Sequence, residues 1–158
     1  MNTRKLTILS LVLWTVTIIA FMFLFVRGQT MSSSDGRTAI LLNADEKNLV
    51  LTEMRHMLTS VHGIVEGLSD EDLPKVVSAA RASGSSMAQQ VPASLMTELP
   101  LEFKLLGKSV HDGFDEITVA AQQEETTDMI LYRLSNQLSH CVACHATYRL
   151  QAKTVTSQ

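Results

Sequence analysis

The sequence predicts an all-α protein, an antiparallel four-helix bundle preceded by one N-terminal transmembrane helix. Three observations lead there. After residue 43, apolar residues recur at alternating spacings of three and four in four separate segments. Before it, an uncharged run of 21 residues extends from Leu6 to Val26. No strand signal or internal repeat competes with this helical pattern.

The N-terminal run holds Trp14, Phe21, Phe23 and Phe25, with Arg4 and Lys5 before it and Arg27 after it. At about 1.5 Å of rise per residue it is long enough to cross a bilayer. It exceeds a usual signal-peptide core, and no small-x-small cleavage site follows, so residues 1–27 read as an uncleaved signal-anchor. The basic pair at its start places the N-terminus in the cytoplasm and the rest of the chain on the exported side. The expected location is the inner membrane, single-pass, with a periplasmic domain. Residues 28–42, beginning Gly-Gln-Thr-Met-Ser-Ser-Ser-Asp-Gly, read as a flexible tether. Residues 43–153 then form one domain and 154–158 a tail.

In the first bundle segment, Val50, Met54, Met57, Val61, Ile64 and Leu68 share one stripe of a helix running from about Asn43 to Gly67. Ser69 with Asp72 resembles a capping box, and Pro74 is tolerated in a first turn. A second helix is therefore expected from about Asp70 to Ser83, or on to Met87, with Leu73, Val76 and Ala80 inward. A loop from about Ser85 to Leu99 follows. The third helix starts near Pro100 and ends by Gln123, with Phe103, Leu106, Val110, Phe114 and Ile117 inward. The fourth is expected from about Glu125 to Ala152, burying Leu131, Leu134, Leu138, Cys141, His145 and Tyr148. Short links between such helices imply an antiparallel bundle.

The last segment also carries the chemistry. Cys141-Val142-Ala143-Cys144-His145 is a Cys-x-x-Cys-His run, the spacing at which haem c is attached covalently, and it uses both cysteines of the chain. The thiols add to the haem vinyl groups, and the adjacent imidazole becomes the proximal iron ligand. A zinc site built from His140, Cys141, Cys144 and His145 is disfavoured, because four ligands drawn from six consecutive residues do not easily surround one ion tetrahedrally. A thioredoxin-like thiol pair would need an α/β setting. Thioether attachment of haem belongs to the exported side, in agreement with the anchor.

Continued through Ala146-Thr147-Tyr148-Arg149, the run reads Cys-x-x-Cys-His-x-x-Tyr-Arg and resembles the signature of the cytochrome c′ family of class II c-type cytochromes. The resemblance covers about residues 43–152 and rests chiefly on the last helix. It implies a four-helix bundle with haem near the C-terminus. The membrane anchor is a departure from the soluble members of that family. In the family a residue of the first helix covers the distal face of the haem: a ligating Met in electron carriers, a non-ligating residue in gas-binding members. Register places Met54 there, because Met57, Val61 and Ile64 follow it as in the family's first helix, and Met57 is the alternative. A Met on a core stripe also serves simply as packing.

Met87 and Met96 fall in or beside the long loop and read as packing. His56, His62, His111 and His140 lie off the buried stripes and read as solvated or capping residues, with His62 the least forced bis-His alternative. Arg149, four residues after His145, would share its side of the last helix and could pair with a haem propionate or shield the histidine.

After Arg27 the chain has 10 Lys and Arg against 16 Asp and Glu, so nucleic acid is not an expected partner. Redox proteins and the membrane are, and a homodimer is left open. The function expected is single-electron transfer, the iron held by His145 and Met54. The alternatives are a five-coordinate protein binding NO or CO and an accessory haem subunit of a respiratory complex. No acid, base or nucleophile constellation points to an enzyme.

Overall fold

In the computed structural model, which describes residues 3–88 and 91–153, the chain is mostly helical and begins with an apolar helix. That helix, α1 (Thr3–Arg27), is long and apolar enough to span a membrane and is exposed except at Phe25, near its end. It leads into a small sheet of β1 (Thr30–Ser32), β2 (Thr38–Leu42) and β3 (Tyr148–Ala152), in the order β1-β2-β3. β1 and β2 are antiparallel, joined through a turn in which Gly36 takes a φ of +82°. β2 and β3 are parallel, in register from Thr38 opposite Tyr148 to Leu42 opposite Ala152.

This sheet corrects two expectations. Residues 28–42 are built into the domain as a hairpin. The last helix stops at Thr147, five residues short of the expected end, because Tyr148–Ala152 pairs with β2. Thr38-Ala39-Ile40-Leu41-Leu42 buries Ala39, Ile40 and Leu42, and nothing local in the sequence announces a strand partner more than a hundred residues away.

α2 (Ala44–Ser69) leaves the sheet from an Asn43 cap whose side chain accepts from the Glu46 amide while the Glu46 side chain accepts from the Asn43 amide. α3 (Leu73–Arg81) starts from Asp72, which accepts from the Lys75 amide, so the cap lies three residues after the expected Ser69. The expected loop holds two short helices, α4 (Ser85–Ala88) and α5 (Ala93–Glu98), with Leu95 and Leu99 buried. α6 (Leu101–Gln122) and α7 (Thr127–Thr147) follow, α7 capped by Thr126. α2 runs away from the sheet and α7 runs back to it.

α2 packs along α3, α3 along α6 and α6 along α7, whereas α2 and α7 are not closely apposed. Gly63 and Gly67 mark the α2–α3 contact: a Cβ on either would fall 2.8 Å from Ala79 or Val76. One core unites Ile64, Leu68, Val76, Phe114, Ile117, Ile130 and Leu134. A second, against the sheet, unites Ile40, Leu42, Leu95, Leu99, Phe103 and Tyr148. On α7 the buried stripe is Ile130, Leu134 and Gln137, one residue out of the expected register, and Leu131 and Leu138 are exposed at 43% and 38%.

Candidate haem-attachment site

Cys141 and Cys144 lie on the last turns of α7, half-buried and not joined to each other. Cys141 packs against the first core, which Met57 also borders. Cys144 packs against the second, which Met54 also borders. The thiol pair thus stands where the two cores meet, and α2 sends one of the two candidate methionines to each. Burial pushes both thiols above their ordinary pKa, Cys144 also by the proximity of Cys141. A redox-catalytic pair needs the opposite, a lowered pKa that yields thiolate.

The two flanks of α7 differ. Toward α6, Gln137 donates to the Val110 carbonyl at 2.6 Å. On the same side Arg133, Asn136 and His140 line a polar cleft of about 300 Å³ with Asp112 and Glu116 of α6. On the opposite flank, Leu131, Leu138, Val142 and His145 fall within an arc of about 60°, at about 100° per residue. All four are exposed. α2 offers a matching stripe on its flank away from α3, where Met54, Leu58, Val61 and Val65 follow one another at spacings of four, three and four; Leu58 is 68% exposed and Val65 49%. The side on which α2 and α7 do not pack closely is therefore bordered by apolar side chains and an imidazole, with Cys141 at its inner edge and Cys144 turned into the second core.

That donor set and surface fit a haem. Thiols one helical turn apart, an exposed imidazole next to the second thiol, and a wettable apolar border suit a flat apolar macrocycle with an axial nitrogen ligand. They do not fit zinc: His140 faces the α6 cleft and His145 the opposite flank. Among the described residues no three His, Cys, Asp or Glu side chains gather to hold a metal ion.

The other singled-out residues are placed as follows. Arg149 lies in β3, not on the helix, and its guanidinium meets Ser33 Oγ at 3.1 Å and Asp35 Oδ2 at 3.3 Å. The helical register that would have set it beside His145 does not exist, and a carboxylate of this chain already occupies it. Arg37, which the sequence did not single out, binds Asp35 at 2.7 Å and donates to the His145 carbonyl at 3.3 Å. Its side chain holds the Asp35 carboxyl well below the usual carboxylate range. Tyr148 is buried, donates to Glu102 at 3.0 Å and meets Phe103 edge-on at 5.5 Å. His56 and His62 are exposed, the latter 3.9 Å from Glu66. His111 corrects the expectation of a solvated residue: it is buried, its Nδ1 2.8 Å from the Ser83 carbonyl. Met87 belongs to α4, and Met96 is half-buried in α5 with its carbonyl accepting from Lys104.

No protein-family model matches the chain, and no curated protein or solved structure is similar to it.

Proposed function

We propose that the chain is a membrane-anchored single-haem c-type cytochrome that passes single electrons on the exported side, its helical domain a four-helix bundle of the cytochrome c′ kind. The observation that carries this reading is that the Cys141–His145 run sets its thiols on the two cores and its imidazole on the adjoining flank, where α2 and α7 stand apart and apolar residues are exposed. A bundle whose fourth edge is opened by a cofactor has that form, and a chain that only needed a stable core would have closed it. When bound, haem c supplies the one-electron couple, its potential set by the axial ligands and the burial of the ring.

The chain's own residues have separable tasks in this reading. Cys141 and Cys144 hold the group on α7, and His145 supplies the proximal nitrogen. Arg37, bonded to the His145 carbonyl, fixes the end of the helix on which that imidazole sits. Met54 stands on the flank that borders the opening, whereas Met57 is turned about 60° toward the core, at about 100° per residue. This difference favours Met54 sulfur as the distal ligand and gives Met57 a packing task.

Optical spectra of the oxidised and reduced protein test the assignment. A low-spin ferric spectrum with the weak red-region sulfur-to-iron band is expected, and Met54→Ala should turn it high-spin and able to bind CO when reduced. Met57→Ala should keep the low-spin spectrum while lowering stability by about 2 to 5 kcal/mol. A wild-type protein already high-spin and binding CO would replace electron transfer by gas binding.

A further inference from the structure

The junction between the anchor and the domain is not a tether. Gly28, the first residue after α1, has a φ of +61°, and a Cβ there would fall 2.5 Å from the Pro100 nitrogen and 2.6 Å from the Glu98 oxygen. The next residue continues the contact: Gln29 donates its amide to Glu98 at 2.7 Å and its carbonyl accepts from Leu41 at 2.8 Å. From the other side, Lys104 of α6 donates to the Phe25 carbonyl at 2.9 Å and to the Met96 carbonyl at 3.2 Å, its ammonium 3.4 Å from the centre of the Phe25 ring. A cation on the last carbonyls of α1 is also favourably placed in the field of that helix.

This elbow lies close to the thiols. Leu99, whose backbone abuts Gly28, sends its side chain into the core that Met54 and Cys144 border, so the end of the anchor and the attachment turn adjoin the same core. The sheet closes the same path: β1 starts three residues after Arg27, and Arg37 at its far turn touches the His145 carbonyl. The Cys141–His145 end of α7 is the end of the domain nearest the anchor, and the core around Val76 and Phe114 is the remote end.

We infer that the Gly28–Lys104 elbow holds the Cys141–His145 end of the domain against the membrane surface, so that its redox partner is a protein embedded in the same membrane and not a freely diffusing carrier. The inference rests on the haem reading above. One electron passes between the haem iron and a one-electron centre of that partner, with no bond made or broken. A fixed, membrane-facing site restricts the search for a partner to two dimensions and turns the site away from soluble proteins, whereas a long tether would serve the reverse purpose.

Trp14, the single tryptophan, sits inside the anchor and reports the geometry, because energy transfer to haem quenches its emission steeply with distance. In full-length protein in lipid nanodiscs, a Gly-Ser insertion of about 20 residues between Arg27 and Gly28 lets the domain wander by about 25 Å and should raise Trp14 emission roughly twofold. Unchanged emission with haem content equal in both proteins overturns the elbow. In washed membranes given NADH or succinate, the wild-type haem should be reduced at the same rate with or without the soluble periplasmic fraction, and the insertion should slow it roughly tenfold by lowering the effective concentration of the site at the membrane. Reduction that appears only when the soluble fraction is returned overturns the embedded partner. A wild-type chain purified without any haem band defeats the haem reading and this inference with it, whereas either of the other failures leaves the haem reading standing.

Discussion

The two flanks of the last helix obey different rules. Toward α6, α7 is held by polar contacts beside a polar cleft: Gln137 reaches across to the Val110 backbone and is buried, and Arg133 is tied at 2.8 Å to Glu125, just past the end of α6. Away from α6, the same helix leaves Leu131, Leu138 and Val142 in water beside Cys141 and His145. Composition does not explain the difference, since the exposed flank is the more apolar of the two. A helix that turns polar residues into a packed contact and Leu131, Leu138 and Val142 outward leaves a second side to cover, and His145 lies on that side of α7. Exposed apolar area of this kind costs about 25 cal/mol per Å² to keep wet, so an occupant that covers it is stabilising.

Removing the proposed occupant has the largest consequence for the exposed side. Replacing both Cys141 and Cys144 by alanine should abolish haem retention on the polypeptide in denaturing electrophoresis, read by peroxidase staining, and either single substitution should weaken it. Stain that survives the double substitution would show that the open flank holds its group without the thiols, or holds another group.

A smaller effect sharpens the contrast between closed and open sides. Phe114 is fully buried in the remote core, and Phe114→Ala should cost about 3 to 5 kcal/mol in thermal or denaturant unfolding, with or without haem. Leu138→Ala should cost less than about 0.5 kcal/mol in the haem-free Cys141→Ala/Cys144→Ala protein, because that side chain is already in contact with water. In the haem-loaded protein the same substitution should cost more, on the order of 1 to 2 kcal/mol, as the ring covers the leucine. Equal costs in the two backgrounds would mean that no ring lies on this flank.

The parts of this arrangement that the sequence made legible are those written in local periodicity. The three-and-four spacing of α2 and α6 is a short-range signal, and Ile64, Val110, Phe114 and Ile117 are buried as that spacing requires, whereas the caps at Asn43 and Thr126 were not read from the sequence and the one expected at Ser69 lies at Asp72. On α7 apolar residues cover too wide an arc to choose one face: Leu131, Leu134 and Leu138 formed as good a stripe as Ile130, Leu134 and Gln137, and only the contact with α6 selects the second. The sheet was illegible for another reason. β2 is a five-residue strand with four apolar residues whose partner is β3, and the pairing that ends α7 at Thr147 and carries Arg149 to Asp35 depends on residues more than a hundred positions apart. The Cys141–His145 run, by contrast, lies in five consecutive residues, so the haem site proposed above is read from it without a fold.

The smallest expected effect tests how firmly β3 pins the end of that run. Tyr148 is the first residue past α7, and its phenol is pushed up to about 12 from an ordinary 10, first by burial and then by its bond to Glu102, which favours the protonated form. In the unfolded chain the phenol ionises near 10 and in the folded one near 12, so its contribution to stability is complete below pH 10 and is lost as the pH rises from there to about 12. Phenolate absorbance should accordingly show the Tyr148 phenol ionising only as the pH nears 12. Tyr148→Phe should remove this alkaline loss while costing only about 0.5 to 1.5 kcal/mol near neutral pH, since Glu102 is exposed and is not left buried without a partner. If the Tyr148 phenol ionises near its ordinary 10, or if Tyr148→Phe unfolds at high pH as the wild type does, Tyr148 is not the pin. The boundary between α7 and β3, which sets His145 beside the hairpin, would then be held by the backbone pairing of β2 and β3 alone.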